Sequence, residues 1–351
     1  MIVSLLVSAS NLEFRSMRLL KPFFFMVAAA LVACSQPSET TPTAEAETAP
    51  PAAAAPPAKR PLIIAHRGAS GIYPEHTLEA YGAAIDMGAD FVEPDLVMTK
   101  DGVLVARHER YLSETTNVAD KPEFADRRAV KEIGGSPRED WFVEDFTLAE
   151  LKTLRARQPR EGRNRAFDDQ FAIPTFTEIL GLVAISNGPD ATVGVYPELK
   201  SPQVFAEMGF DMETALLEAM EAAGLKASGV PVFIQCFHPP TLRSLSQKTD
   251  YPLVQLLPAT TEERLSPEMI AEYAAGVGPW KHIIMQSRGG PLNYLSQARG
   301  AGLFVHAYTF RADDIAPYAE SFEAELEQVF NLGIDGVFTD HPAEALAIRD
   351  E

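Results

Sequence analysis

The chain has 351 residues, 46% of them hydrophobic and 23% charged, which suits a packed soluble protein and excludes a fibrous or wholly disordered one. Its formal net charge of −19 opposes nucleic acids and anionic lipid surfaces, so an anionic small molecule would need positive charge concentrated in its pocket. The two cysteines, Cys34 and Cys236, fall in segments of very different composition, and an internal disulfide is not expected.

From Met17 the sequence MRLLKPFFFMVAAALVAC places Arg18 and Lys21 before an apolar run too short to cross a bilayer. Residues 1–33 are read as a signal peptide. Its end, Leu31-Val32-Ala33-Cys34, is similar to a bacterial lipoprotein cleavage box, so Cys34 is the expected lipidation site, with Met17 as an alternative start. Ser35 in the next position favours the outer membrane, giving a lipid-anchored protein in the periplasm or at the cell surface. Residues 34–60, rich in Pro, Ala, Thr and Glu, read as a tether reaching roughly 30 Å coiled or about 80 Å extended. Losing the leader would make the chain two charges more negative, so attachment would come from lipid and not from charge.

The globular domain is expected over 61–351. Short apolar runs at 62–65, 91–97, 103–107, 192–199, 232–237, 253–257, 303–309 and 336–339 alternate with helical patterns such as 77–87 and 211–223. Eight buried strands separated by helices predict an α/β fold, a (β/α)8 barrel, with an irregular insertion at 111–172 after the third run. A ninth candidate strand at 282–286 keeps a doubly wound sheet as the alternative.

Four of these runs end in polar groups that a core does not need. They are His66-Arg67-Gly68, Glu93 with Asp95, His108, and Glu198 with Lys200. In a barrel, strand C-termini converge on one mouth. Glu93 and Asp95, two apart, share one strand face, and with Glu198 they form a hard-oxygen set suited to Ca²⁺ or Mg²⁺. His66 and His108 fit a general acid and a general base; Arg67 and Lys200 fit a phosphodiester grip. Phe237 and Tyr308 are assigned to an alcohol subsite, with His306 and Phe310 as further candidates, and Cys236 is expected as a small buried hydrophobe.

The strings IIAHRGASGIYPEHTLEAY (63–81) and GADFVEPDLVMTKDGVLVARH (88–108) resemble the glycerophosphodiester phosphodiesterase family, particularly its periplasmic bacterial branch. So do VYPELKSP, FIQCF, VGP, VHAYTFR and GVFTD further along. The resemblance implies a TIM barrel with a small insertion and a divalent cation, Ca²⁺ ahead of Mg²⁺. It gives His66 and His108 the acid–base roles, Glu93, Asp95 and Glu198 the metal, and Arg67 and Lys200 the phosphate. The implied reaction releases an alcohol and sn-glycerol 3-phosphate from diesters such as glycerophosphocholine or glycerophosphoethanolamine. Pro94, between the two acids, departs from the family pattern, and His341 is expected to be peripheral. Two rivals remain. A surface lipoprotein that uses the barrel only for adhesion or ligand binding would not need the histidines, and a phospholipase would need an apolar rim that the sequence lacks.

Overall fold

The computed structural model describes residues 60–188, 193–259, 265–286 and 294–351. Residues 1–33, Cys34 and nearly all of the expected tether therefore lie outside the described residues. Eleven strands form one sheet. In chain order the strands are β1 (Leu62–His66), β2 (Phe91–Glu93), β3 (Asp95–Met98) and β4 (Leu104–Ala106), then a separate hairpin of β5 (Ala129–Ile133) and β6 (Ser136–Asp140). They continue with β7 (Gly194–Val195), β8 (Glu198–Leu199), β9 (Ile234–Cys236), β10 (Leu253–Leu257), β11 (Gly276–Pro279), β12 (Phe304–Phe310) and β13 (Gly336–Thr339).

The pairing closes on itself. β2 and β3 are two halves of one stave broken at Pro94, and β7 and β8 are halves of the next, because β2 pairs with β7 and β3 with β8. From β8 the parallel ladder runs through β9, β10, β11, β12 and β13 back to β1 and β2. Eight parallel staves result, the (β/α)8 barrel, with helices such as Leu78–Met87, Phe176–Ser186 and Met212–Ala222 between them.

Two expected strands have other places. The run at 103–107 yields β4, which pairs antiparallel with β3 and is not a stave, so the insertion that follows it opens after the second stave. The candidate at 282–286 lies in a helix, Lys281–Gln286, immediately after β11. β11 itself, Gly-Val-Gly-Pro, completes the eight; its low strand propensity hides it in the sequence.

Pro94 fits because the ladder is interrupted there. Its missing N–H falls at the break, while its carbonyl accepts from Glu198 N at 2.9 Å.

Period-two alternation sorts the interior into layers. Ile64, Phe91, Tyr196, Val254 and Phe338 form the lower, apolar packing, with Phe233 and Phe304 against them. Gly194 and Gly276 are small because a Cβ would fall 2.2 Å and 2.1 Å from the rings of Phe91 and Phe304. Two residues onward on the same strand faces come His66, Glu93, Glu198, Gln235, Leu256 and Asp340, so the polar layer sits at the C-terminal mouth. His306 belongs below it. Its ring packs on Phe304, Phe233 and Tyr196, its Nδ1 lies 3.1 Å from Tyr196 Oη, and burial pulls its pKa down to about 3. It does not line the cavity above, nor does Phe310, which is fully buried in the outer packing.

Candidate active site

A cavity of about 180 Å³ opens at the mouth, lined by His66, Arg67, Glu93, His108, Glu198, Lys200 and Gln235 on its polar side. Phe237, Leu256, Trp280, Tyr308 and Phe338 form the apolar side, with Thr309 and Arg311 completing the wall. Residues more than 200 positions apart in the chain thus share one space.

The turn after β1 sets the first two groups. Arg67 adopts φ +60, uncommon for a residue with a Cβ, and Gly68 follows at +85. Only glycine fits there, since a Cβ would lie 2.6 Å from the Ala80 backbone. The reward is position: Arg67 N donates to Glu93 Oε2 at 3.0 Å, and Arg67 Nη1 holds both oxygens of Glu75 at 3.1 and 3.0 Å.

Glu93, Asp95 and Glu198 are buried, and one oxygen of each lies within 4.8 Å of the others. Two carboxylates that close repel by about 3.5 kcal/mol at an effective dielectric of about 20. The three acids respond differently. Burial and the charges of Asp95 and Glu198 hold Glu93 well above the usual carboxylate range. Burial, reinforced by Asp95, also pushes Glu198 up to about 8 despite Lys200. Burial acts on Asp95 in the same sense, but Lys200, His108, His76 and Arg67 outweigh it and keep Asp95 well below its ordinary value.

The donor set fits a hard cation. Asp95 Oδ1 is buried without a hydrogen-bond partner, and all three candidates are oxygen donors. Glu93 Oε1 is oriented by Gln235 Nε2 at 2.9 Å. Asp95 Oδ2 is held by His76 Nε2 at 2.9 Å, and His76 Nδ1 in turn lies 2.7 Å from Tyr81 Oη. Such outer contacts fix the direction of ligand lone pairs. His76 and Gln235 escaped sequence reasoning, although both lie within the quoted strings.

Lys200 Nζ reaches Glu198 at 2.8 Å and sits 5.6 Å from the Phe237 ring centroid. Its backbone enters a left-handed turn at Ser201, φ +48, which ends the strand and starts the next helix.

The two histidines differ in setting. His66 Nδ1 lies 2.6 Å from Asp340 Oδ1, both side chains nearly fully enclosed. Burial and Arg67 pull its pKa down to about 4, against the pull of Asp340. His108 Nδ1 lies 2.8 Å from its chain neighbour Glu109, and both side chains are about one-third exposed at the rim. Enclosure by the surrounding mouth, Arg67 and Lys200 lower the His108 pKa well below its ordinary value. Both imidazoles thus have their pKa lowered from the ordinary value, and each has Nδ1 engaged by a carboxylate.

Asp340, Arg163, Arg311, Trp280 and Glu75 were also missed as site residues. Arg107, fully buried, donates to the carbonyls of Glu75 and His76 and so holds the loop behind the acids.

The family model for glycerophosphoryl diester phosphodiesterases matches residues 66–344. The chain belongs to this family. Among its relatives, a glycerophosphodiester phosphodiesterase of Arabidopsis thaliana is 35% identical over 314 residues, spanning 80% of this chain and 84% of the relative. One of Haemophilus influenzae is 31% identical over 327 residues, spanning 80% and 87%. A solved structure from Oleispira antarctica, described as a phosphodiesterase in complex with the product sn-glycerol-3-phosphate, superposes with a TM-score of 0.62 at 24% identity. It covers 83% of this chain and 97% of the other. A Silicibacter pomeroyi structure gives a TM-score of 0.64 at 22% identity, covering 83% and 93%. The fold and the enzyme class agree: this is a glycerophosphodiester phosphodiesterase with a buried acidic triad suited to a divalent cation.

Proposed function

We propose that the enzyme hydrolyses glycerophosphodiesters such as glycerophosphocholine and glycerophosphoethanolamine to an alcohol and sn-glycerol 3-phosphate. A divalent cation, Ca²⁺ ahead of Mg²⁺, would be held by Glu93, Asp95 and Glu198. The observation that carries this reading is a cavity at the strand C-termini lined by His66, His108, Glu93 and Glu198, with Asp95 buried against those two acids.

When bound, the cation supplies positive charge against the non-bridging phosphate oxygens. Arg67 and Lys200 add two fixed donors on the same wall and align the diester. One histidine takes the proton of the attacking oxygen, of water or of the neighbouring glycerol hydroxyl, and the other gives a proton to the leaving alkoxide; in the second case a cyclic phosphate forms and water then opens it. The lowered pKa values of the two histidines favour the neutral imidazole, and the phosphate's negative charge favours protonation of the acid partner once substrate is bound. Phe237, Tyr308 and Trp280 form an apolar surface for the carbon skeleton. The composition of residues 17–60 supports export and lipid anchoring at Cys34, and with them hydrolysis outside the cytoplasm.

The test is a coupled assay of glycerol 3-phosphate release from several glycerophosphodiesters, with and without EDTA. Activity should vanish in chelator and return with Ca²⁺. Full activity in excess EDTA would end the metal reading, and no glycerol 3-phosphate from any diester would end the substrate reading.

A further inference from the structure

The acid–base pair proposed above leaves open what keeps either imidazole in a reacting orientation. Asp340 follows β13 directly, and β13 pairs with β1 in the register Ala65↔Thr339, so the ladder itself brings Asp340 beside His66. Its Oδ1 takes His66 Nδ1 at 2.6 Å. Its Oδ2 accepts from Arg163 Nη2 and Arg311 Nε, both at 2.7 Å.

Arg163 is not part of the barrel. It comes from the insertion, and its guanidinium is spent entirely on this corner: Nη1 donates to Ser70 O at 2.9 Å, while Nε and Nη2 grip Asp313 at 2.6 and 3.0 Å. Ser70 Oγ closes the circuit by donating to His66 O at 2.8 Å. Gly71 N donates to Asp340 O at 2.8 Å, and a Cβ at Gly71 would strike the His341 ring at 2.6 Å. The β1 turn, the β13 end and the insertion are locked together around one carboxylate.

We propose that Asp340 is the positioning residue of His66 and that Arg163, delivered by the insertion, holds Asp340 in place. The carboxylate keeps a proton on Nδ1, so Nε2 is the nitrogen that faces the cavity and exchanges a proton with the reacting oxygen. His108 has no counterpart to this device: its carboxylate is an adjacent, partly exposed glutamate. The inference rests on the acid–base role proposed for His66.

Three variants of the full chain with cation bound test it: Asp340→Asn, Arg163→Met and Arg163→Lys. ¹⁵N spectra of the imidazoles, assigned with His66→Ala, should show wild-type His66 as a single Nδ1–H tautomer. Asp340→Asn should convert it to a mixture and lower kcat by about 10²-fold or more, with KM for glycerophosphocholine changed less than about threefold. Arg163→Met should shift the His66 resonances and lower kcat by about tenfold, and Arg163→Lys should recover part of both. Unchanged His66 resonances, or a kcat within threefold of wild type, in Asp340→Asn would overturn the positioning role; the same result in Arg163→Met would remove the insertion from it. Should Asp340→Asn fail to fold, the wild-type spectrum still decides, because a His66 with its proton on Nε2, or a mixture of tautomers, would overturn the positioning role. Wild-type turnover by His66→Ala would refute the acid–base role alone, since the tautomer is read independently of activity.

Discussion

At the residue scale, the two imidazoles have Nδ1 engaged by a carboxylate and differ in enclosure, so they should be separable by substrate chemistry. His66→Ala and His108→Ala are each expected to lose about 10² to 10⁴ in kcat on glycerophosphocholine while retaining the fold. A nitrophenyl diester needs little protonation on departure and should restore the mutant of the general acid but not that of the general base. Equal responses of the two mutants to the change of leaving group would contradict a division of labour. The acids make a separate forecast. Glu198, raised to about 8 by burial and Asp95, and Glu93, raised by burial with Asp95 and Glu198, must both lose their protons to bind a cation, so affinity should climb as pH rises from 6 through about 8. Calorimetric titration of Ca²⁺ in buffers of different ionisation enthalpy should show proton release below that pH. A flat affinity from pH 6 to 9 would mean that Glu198 is already ionised or not a ligand.

At the element scale, the insertion divides into a working part and a peripheral one. Gln158 and Arg163 reach under the β1 turn, with Gln158 Nε2 donating to Ser70 O at 3.0 Å, whereas the β5–β6 hairpin pairs only with itself and exposes Val130. Replacing 132–137 by Asn-Gly, a two-residue hairpin turn, should leave kcat/KM within about twofold, measured beside thermal unfolding. A tenfold loss without loss of fold would give the hairpin a catalytic part. The same contrast explains what the sequence disclosed. Groups at stave ends were legible because strand periodicity puts His66, Glu93 and Glu198 in one layer, with Lys200 just beyond it, once a barrel is assumed. Asp340 was not, although it ends a recognised strand, because its partner His66 lies 274 residues away and only the β13–β1 register joins them. Arg163, 177 residues from Asp340, sits in an insertion without periodicity. Misreading β4 as a stave had a related cause: Val103–Arg107 has the apolar run of a buried strand, and nothing local states its direction. β11 failed the other way, since two glycines and a proline carry no strand signal, yet Gly276 is required by Phe304.

At the scale of the whole molecule, charge sets how substrate arrives. The chain carries −19, while the cavity cations are each tied to acids, Arg67 to Glu75, Lys200 to Glu198 and Arg311 to Asp340. Those pairs are only a few ångströms across, well inside a Debye length of about 8 Å at 0.15 M, so salt screens them little. The acidic surface acts over a longer range. At about 0.01 M salt, where the Debye length is about 30 Å, it should repel a diester of net negative charge and leave a zwitterion nearly untouched. Glycerophosphocholine, with one phosphate and one quaternary ammonium, is such a zwitterion; glycerophosphoglycerol is a net anion. Raising ionic strength from about 0.01 to 0.15 M should therefore increase kcat/KM for glycerophosphoglycerol by about two- to fivefold and change that for glycerophosphocholine by less than about 1.5-fold. The measurement is made at saturating Ca²⁺, so that screening of cation binding does not enter. A fall in kcat/KM for the anionic diester would show that the cavity's own positive field, and not the acidic surface, governs its capture.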